Sequence, residues 1–230
     1  MAPHERAVLA LAAALTLWVP AVAPAQEDLN ASLAQAVPLF AFREQGSAPA
    51  LILLRNGGTQ QIPQALVASR GRWRLIELPE ELYNTSWIHA GRTLDNGEIW
   101  GITEGLADGQ PYLYFASSGN GGRTWRLRGH LRKISRSAVV DSFAMDKGGK
   151  GTLILRLDED PSPDAPRLGH YVYMTRNGGR EWSEPIYSHG KPLPPSDVLA
   201  RPDQTFEPQD SPEPGTWQGI LNELSPFDED

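Results

Sequence analysis

Catalysis needs nucleophiles, acids, bases or metal ligands, and the most reactive of these is missing, since the 230-residue chain contains no cysteine. That excludes disulfides, thiolate metal sites, cysteine nucleophiles and the lipid anchor of a lipoprotein. Beyond residue 25 the histidines are His89, His130, His170 and His189, with no i,i+4 pair and no HExxH pattern, so no metal site is expected. Gly-x-Ser-x-Gly, P-loop and dinucleotide fingerprints do not occur either, and no cofactor is implied. Glu104, Asp141 and Asp158 fall at the ends of predicted strands, where a glycosidase pair could stand. Turns place acids there for solvation alone, and no catalytic residue is assigned. Tyr83, Trp87 and Trp100 offer binding instead, because flat rings on an open face take up a sugar or a peptide. The competing use of the same rings is core packing.

Such residues must be positioned by β-structure. Between Val37 and Tyr187, short runs of β-branched and aromatic residues alternate with Gly, Asn and Asp clusters, with almost no helical period. The pattern predicts an all-β body with strands at 37–43, 49–55, 64–69, 72–78, 86–93, 97–103, 111–117, 123–131, 137–145, 150–157, 169–176 and 180–187, in three sets of four. The sets repeat in detail. Ser118-x-Asn120-x-Gly122-x-Thr124-Trp125 matches Thr175-x-Asn177-x-Gly179-x-Glu181-Trp182, and the two tryptophans are 57 residues apart. A shortened copy, Ser69-Arg-Gly71-Arg-Trp73, ends 52 residues before Trp125. Four-strand units at such a period point to propeller blades.

The two full copies resemble the Asp-box, or BNR repeat, of sialidase-like β-propellers, Ser/Thr-x-Asp-x-Gly-x-Thr-Trp. Asn stands for the eponymous Asp in both, and Glu181 stands where the family prefers Thr. The resemblance covers about 150 residues and implies antiparallel four-stranded blades, three of them clear, with an irregular fourth as one way to close the ring. In the family the box is structural, closing the hairpin between the third and fourth strands while its tryptophan packs between blades. It carries no catalytic residue. Sialidase chemistry also asks for three arginines, a tyrosine with a glutamate, and an aspartate. Of the family's first arginine motif, Phe/Tyr-Arg-Ile-Pro, only Phe42-Arg43 is present here.

Two further segments flank the body. Residues 1–25 open with His4 and Arg6, continue without charge from Ala7 to Val22, and end in Ala23-Pro24-Ala25. The apolar run is shorter than the roughly 20 residues a bilayer requires, and with its small-x-small end it is expected to be a signal peptide cleaved after Ala25. That makes the protein periplasmic or secreted, with no membrane span. The chain has 21 Lys and Arg against 28 Asp and Glu, a net charge of −7. Residues 188–230 account for all of it, with their nine acids against Lys191 and Arg201. Nucleic acid is therefore not an expected partner. The acidic, proline-rich tail from 191 onward is expected to be largely extended, with Trp217, Ile220, Leu221 and Leu224 spaced for a short amphipathic helix that docks on the Asp-box domain of residues 26–190 or stays in solvent. The basic stretch from Arg123 to Arg136 is expected at an exposed strand edge, or as a surface onto which the acidic tail folds.

These readings converge on an exported, non-catalytic binding or assembly protein that holds a protein or glycan ligand on a propeller face. The alternative is a reduced glycoside hydrolase of the exo-α-sialidase type. Three blades leave two faces uncovered, so closure is expected either from the chain's own ends, from a homodimer completing six blades, or from a partner.

Overall fold

The protein is described here from a computed structural model, which places residues 29, 32–43, 50–56, 61–69, 72–93, 96–159, 166–193, 198–206 and 216–224. The expected signal segment, 1–25, lies outside the described residues. The fold is all-β, with three antiparallel sheets and a helix, α1 (Thr216–Leu224); residues 29, 32 and 33 are also helical. The first sheet comprises β1 (Ala36–Phe42), β2 (Leu51–Asn56), β3 (Pro63–Ser69) and β4 (Arg72–Glu77), in sequential order. The second comprises β5 (Thr85–Arg92), β6 (Ile99–Ala107), β7 (Gln110–Ser118) and β8 (Arg126–Arg132), and the third β9 (Val139–Met145), β10 (Gly151–Leu157), β11 (Gly169–Thr175) and β12 (Ile186–Ser188). A thirteenth strand, β13 (Gln204–Thr205), joins the first sheet beside β1.

The twelve expected strands are present, with three boundaries displaced by three residues or more, one of them the end of β6, at Ala107 rather than 103. β8 begins at Arg126 rather than at 123, and β12 shrinks to three residues instead of 180–187. In both places the turn takes up the difference. Each loop uses its side chains to bond its own backbone, and Pro185, without an N–H, bars an earlier start to β12. The first strand of every sheet also bears an irregularity against the second, at Pro38/Phe40, Trp87/His89 and Ile154/Leu155.

The two box loops share three hydrogen bonds. In the first loop the Ser118 hydroxyl donates to Asn120 Oδ1 at 3.0 Å and accepts the Gly122 N–H at 2.9 Å, while Asn120 Oδ1 also accepts the Thr124 N–H at 2.9 Å. In the second, Thr175 donates to Asn177 Oδ1 at 3.0 Å and accepts the Gly179 N–H at 3.1 Å, and Asn177 Oδ1 accepts the Glu181 N–H at 3.0 Å. Gly122 and Gly179 have φ of 86° and 79°, a left-handed conformation that explains glycine at both positions. The loops differ where Glu181 stands for Thr124. Asn120 Nδ2 donates to the Thr124 hydroxyl, whereas Asn177 Nδ2 donates to the Glu181 carboxylate at 3.1 Å. Asn120→Asp should therefore be tolerated to within about 0.5 kcal/mol, because the Thr124 hydroxyl can turn and donate to the new carboxylate. Asn177→Asp sets two carboxylates against each other and should cost roughly 0.5–1 kcal/mol, with Glu181→Thr restoring the loss. Urea unfolding of the three variants at neutral pH checks both expectations.

Packing follows the same repeat. Trp125 is buried in the core between the first and second sheets, beside Leu51, Val67 and Trp87. Trp182 packs on the core between the second and third, beside Phe115 and Phe143. Trp73 packs on a third core, over the remaining face of the first sheet, where Leu29, Leu33, Ile220, Leu221 and Leu224 cover Ile52, Leu54 and Leu66. Each tryptophan thus faces the layer before its own sheet. For the first sheet that layer is α1 together with Leu29 and Leu33.

Residues 198–206 and the helix of the acidic tail are packed on the body, whereas Leu193 is exposed. Val198 bridges to Ala144 in β9, Ala200 exchanges backbone hydrogen bonds of 3.0 and 2.8 Å with Arg92 in β5, and β13 pairs with β1. Residues 198–206 therefore stitch together the first strands of all three sheets. Gly91 makes room for this, since a Cβ there would lie 2.4 Å from that of Leu199.

Candidate functional site

β8 is the edge of the second sheet, as expected for the basic stretch, and its side chains build one wall of a cleft. Lys133, only 5% exposed, donates to Glu104 Oε1 at 2.7 Å and to the Arg136 carbonyl at 3.2 Å, which folds the chain back after the strand. Burying an ammonium without a partner would be costly, so this pair fixes the loop rather than serving a ligand. Arg132 donates to Gln110 Oε1 at 2.9 Å and Arg136 to the Gly109 carbonyl at 2.7 Å. Both bonds are at exposed positions and leave each guanidinium further donors. The opposite wall is Trp182 to Pro185 of the third sheet, held by a bond from the Ser183 N–H to the Met174 carbonyl at 2.8 Å. Between the walls lies a cleft of about 1110 Å³.

Tyr173 and Trp182 also line this cleft, and their polar atoms are the informative ones. The Tyr173 hydroxyl and the Trp182 indole N–H are buried without a hydrogen-bond partner among the described residues, and Tyr173 is 2% exposed. Burial, with smaller contributions from Tyr171 and Glu184, raises the Tyr173 pKa and keeps its proton in place. Both groups are consequently donors. An unpaired buried donor costs on the order of 1–3 kcal/mol, and two of them beside a cationic rim call for an acceptor-rich ligand. The equivalent indole N–H of Trp125 is satisfied by the Gly122 carbonyl at 2.9 Å.

The sequence-derived binding aromatics lie elsewhere. Trp87 is 3% exposed, paired with Trp125 at 5.4 Å between centroids, and Trp100 is 2% exposed against Phe143. Neither ring lines the cleft, and both do the core packing that competed with the binding reading. Tyr83 is half-buried after a 3-10 turn at Glu80–Leu82, its N–H bonded to the Glu80 carbonyl. The three carboxylates are not brought into one site by any bond they make. Glu104 serves Lys133, Asp158 pairs with Arg156 at 3.2 Å, and Asp141 sits at the irregularity of β9. Trp182 was identified only as a box residue. Tyr173, Arg132 and Arg136 join it through the packing of two sheets, and only the density of arginines along β8 hinted at them.

A second cluster lies where the tail segment crosses β5. Arg92 is 7% exposed, its guanidinium 5.4 Å from the Phe42 ring centroid, with Nε and Nη2 unpaired among the described residues. Burial lowers its pKa while the charge of Asp203 raises it, and Asp203 itself accepts the Arg43 N–H at 2.7 Å. Nearby His89 is pushed down to about 4, by burial first and by Arg201 second.

No protein-family model matches this chain, and no curated protein sequence does. Among the described residues, no helix is long and apolar enough to cross a membrane.

Proposed function

We propose that this chain is an exported, non-catalytic binding or assembly protein built from sialidase-like Asp-box blades, and that it holds a polypeptide or glycan in the cleft between its second and third sheets. The observation that carries the reading is the pair of unpaired donors, Tyr173 and Trp182, under a rim bearing Arg132 and Arg136. The matched loops and the matched settings of Trp125 and Trp182 support successive blades of one design. The position of α1, where the other two sheets have a preceding sheet, favours a monomer closed by its own tail over a homodimer completing six blades. Export would remove residues 1–25, leaving Gln26 as the first residue of the protein recovered from cells.

Tyr173→Phe separates a binding hydroxyl from a structural one. A hydroxyl kept for a ligand is a burden in the free protein, so its removal should raise stability by about 1 kcal/mol and weaken binding about fivefold. Unfolding curves and calorimetric titration against panels of peptides and oligosaccharides measure the two effects. A loss of stability on removing the hydroxyl would end the proposal. The hydrolase reading draws on Arg92, Arg201 and Asp203 alone, and turnover of an aryl sialoside by the purified protein is its test.

A further inference from the structure

The chemistry of the cleft also discriminates among ligands. Resting on the proposal that the cleft is a binding site, we infer that its ligand is an extended, acidic segment of polypeptide. The floor offers two donors: the Trp182 indole N–H, which never accepts, and the protonated Tyr173 phenol, which can both donate and accept. The ligand must supply acceptors. The rim requires some of those acceptors to be charged, since Arg132 and Arg136 are cations whose bonds go to neutral oxygens. Lys133 contributes little because Glu104 neutralises it. Glu184, on the opposite wall, repels an anion and so confines the ligand's carboxylates to the arginine side.

The backbone favours a peptide over an acidic sugar. β8 is an edge strand, and the Lys133 N–H turns inward to the Pro111 carbonyl at 2.9 Å. Antiparallel alternation then turns the backbone groups of Arg132 outward, along the wall of the cleft. An added strand can use them in both directions, as donor and as acceptor, with every second side chain reaching the arginines. A volume near 1110 Å³ accommodates several residues of such a strand.

The test titrates the mature chain by calorimetry with three probes: an eight-residue peptide alternating Glu with Val, the same peptide with Gln for Glu, and an oligogalacturonate. Hydrogen exchange at residues 130–136 reports where each binds. The Glu peptide should bind at least about tenfold more tightly than the Gln peptide and should protect the Arg132 amide. The advantage should shrink with salt and vanish in Arg132→Gln/Arg136→Gln, two exposed substitutions that leave the core intact. Equal binding of the two peptides overturns the inference. If only the oligogalacturonate protects 130–136, the cleft is a binding site and the inference of a peptide falls. If no probe protects those residues and Tyr173→Phe destabilises the free protein, the binding proposal falls with it.

Discussion

A chain ending at Phe206 should lose most of its stability and associate in solution. Without α1, only Leu29 and Leu33 would still cover Ile52, Leu54 and Leu66, all fully buried in the intact chain. From the helix side, Ile220, Leu221 and Leu224 are 9%, 3% and 3% exposed, with Trp217 half-buried beside them. Each fully buried aliphatic side chain is worth about 1.5–3 kcal/mol, so the three together contribute on the order of 6 kcal/mol. A typical domain has only about 5–15 kcal/mol in total. The uncovered face is also a contiguous apolar patch, and such patches drive association. Urea unfolding measures the first consequence and light-scattering mass the second. An unchanged midpoint with a monomeric mass would mean that α1 is not what closes the first sheet. The milder Leu221→Ala should lower stability by about 2–5 kcal/mol without changing the mass.

The importance of this helix was only half visible in the sequence. The spacing of Trp217, Ile220, Leu221 and Leu224 marks an amphipathic turn, but nothing local tells whether its apolar face finds a sheet or water. The choice depends on the first sheet lacking a preceding sheet, which is a property of the whole stack. Residues 198–206 were less visible still. Their acids and prolines read as extended and solvated, and extended they are, yet their backbone bonds go to the first strands of three sheets. Strand-like hydrogen bonding leaves no hydrophobic period when only one or two residues meet each neighbour. The loops at Ser118–Trp125 and Thr175–Trp182 were legible because their bonds are local and depend on residue types at fixed offsets.

The candidate site shows the opposite limit. Trp87 and Trp100 were chosen because they lie on strands without a box, but a ring on a strand faces solvent or a neighbouring sheet according to register and layer order. Here both faces of the second sheet are covered by its neighbours, which puts Trp87 in one core and Trp100 in the other. Tyr173 and Arg132 come from different sheets, and no spacing along the chain connects them. What brings them together is the contact of the second loop with β8. A Cβ at Gly129 would lie 2.2 Å from the Gly179 carbonyl oxygen, so only glycine lets the third sheet approach the edge of the second this closely.

The protein should lose stability as the pH falls from about 6.5 to about 4, and a definable share of that loss belongs to His89. Its folded pKa is about 4, against 6.5 for an ordinary histidine, because burial and the charge of Arg201 both penalise the imidazolium. The sign follows from proton counting. Between the two values the unfolded chain binds a proton that the folded chain refuses, so lowering the pH favours unfolding. Above pH 7 both states are neutral at this residue and the contribution is constant; below pH 4 both are charged and it levels off. At about 1.4 kcal/mol per pKa unit the full swing is on the order of 3 kcal/mol. Carboxylates titrate over part of the same range, so the informative quantity is the difference between the native chain and His89→Gln, which stays uncharged throughout. That difference should be flat above pH 7 and should shift steadily in favour of His89→Gln from pH 6.5 to pH 4. Because the repelling charge lies on Arg201, within the segment that ties the three sheets together, the lost stability should be accompanied by faster exchange of the Ala200 amide, bonded to Arg92 at 2.8 Å. A pH-independent difference would mean that His89 ionises as freely in the folded protein as in the unfolded chain.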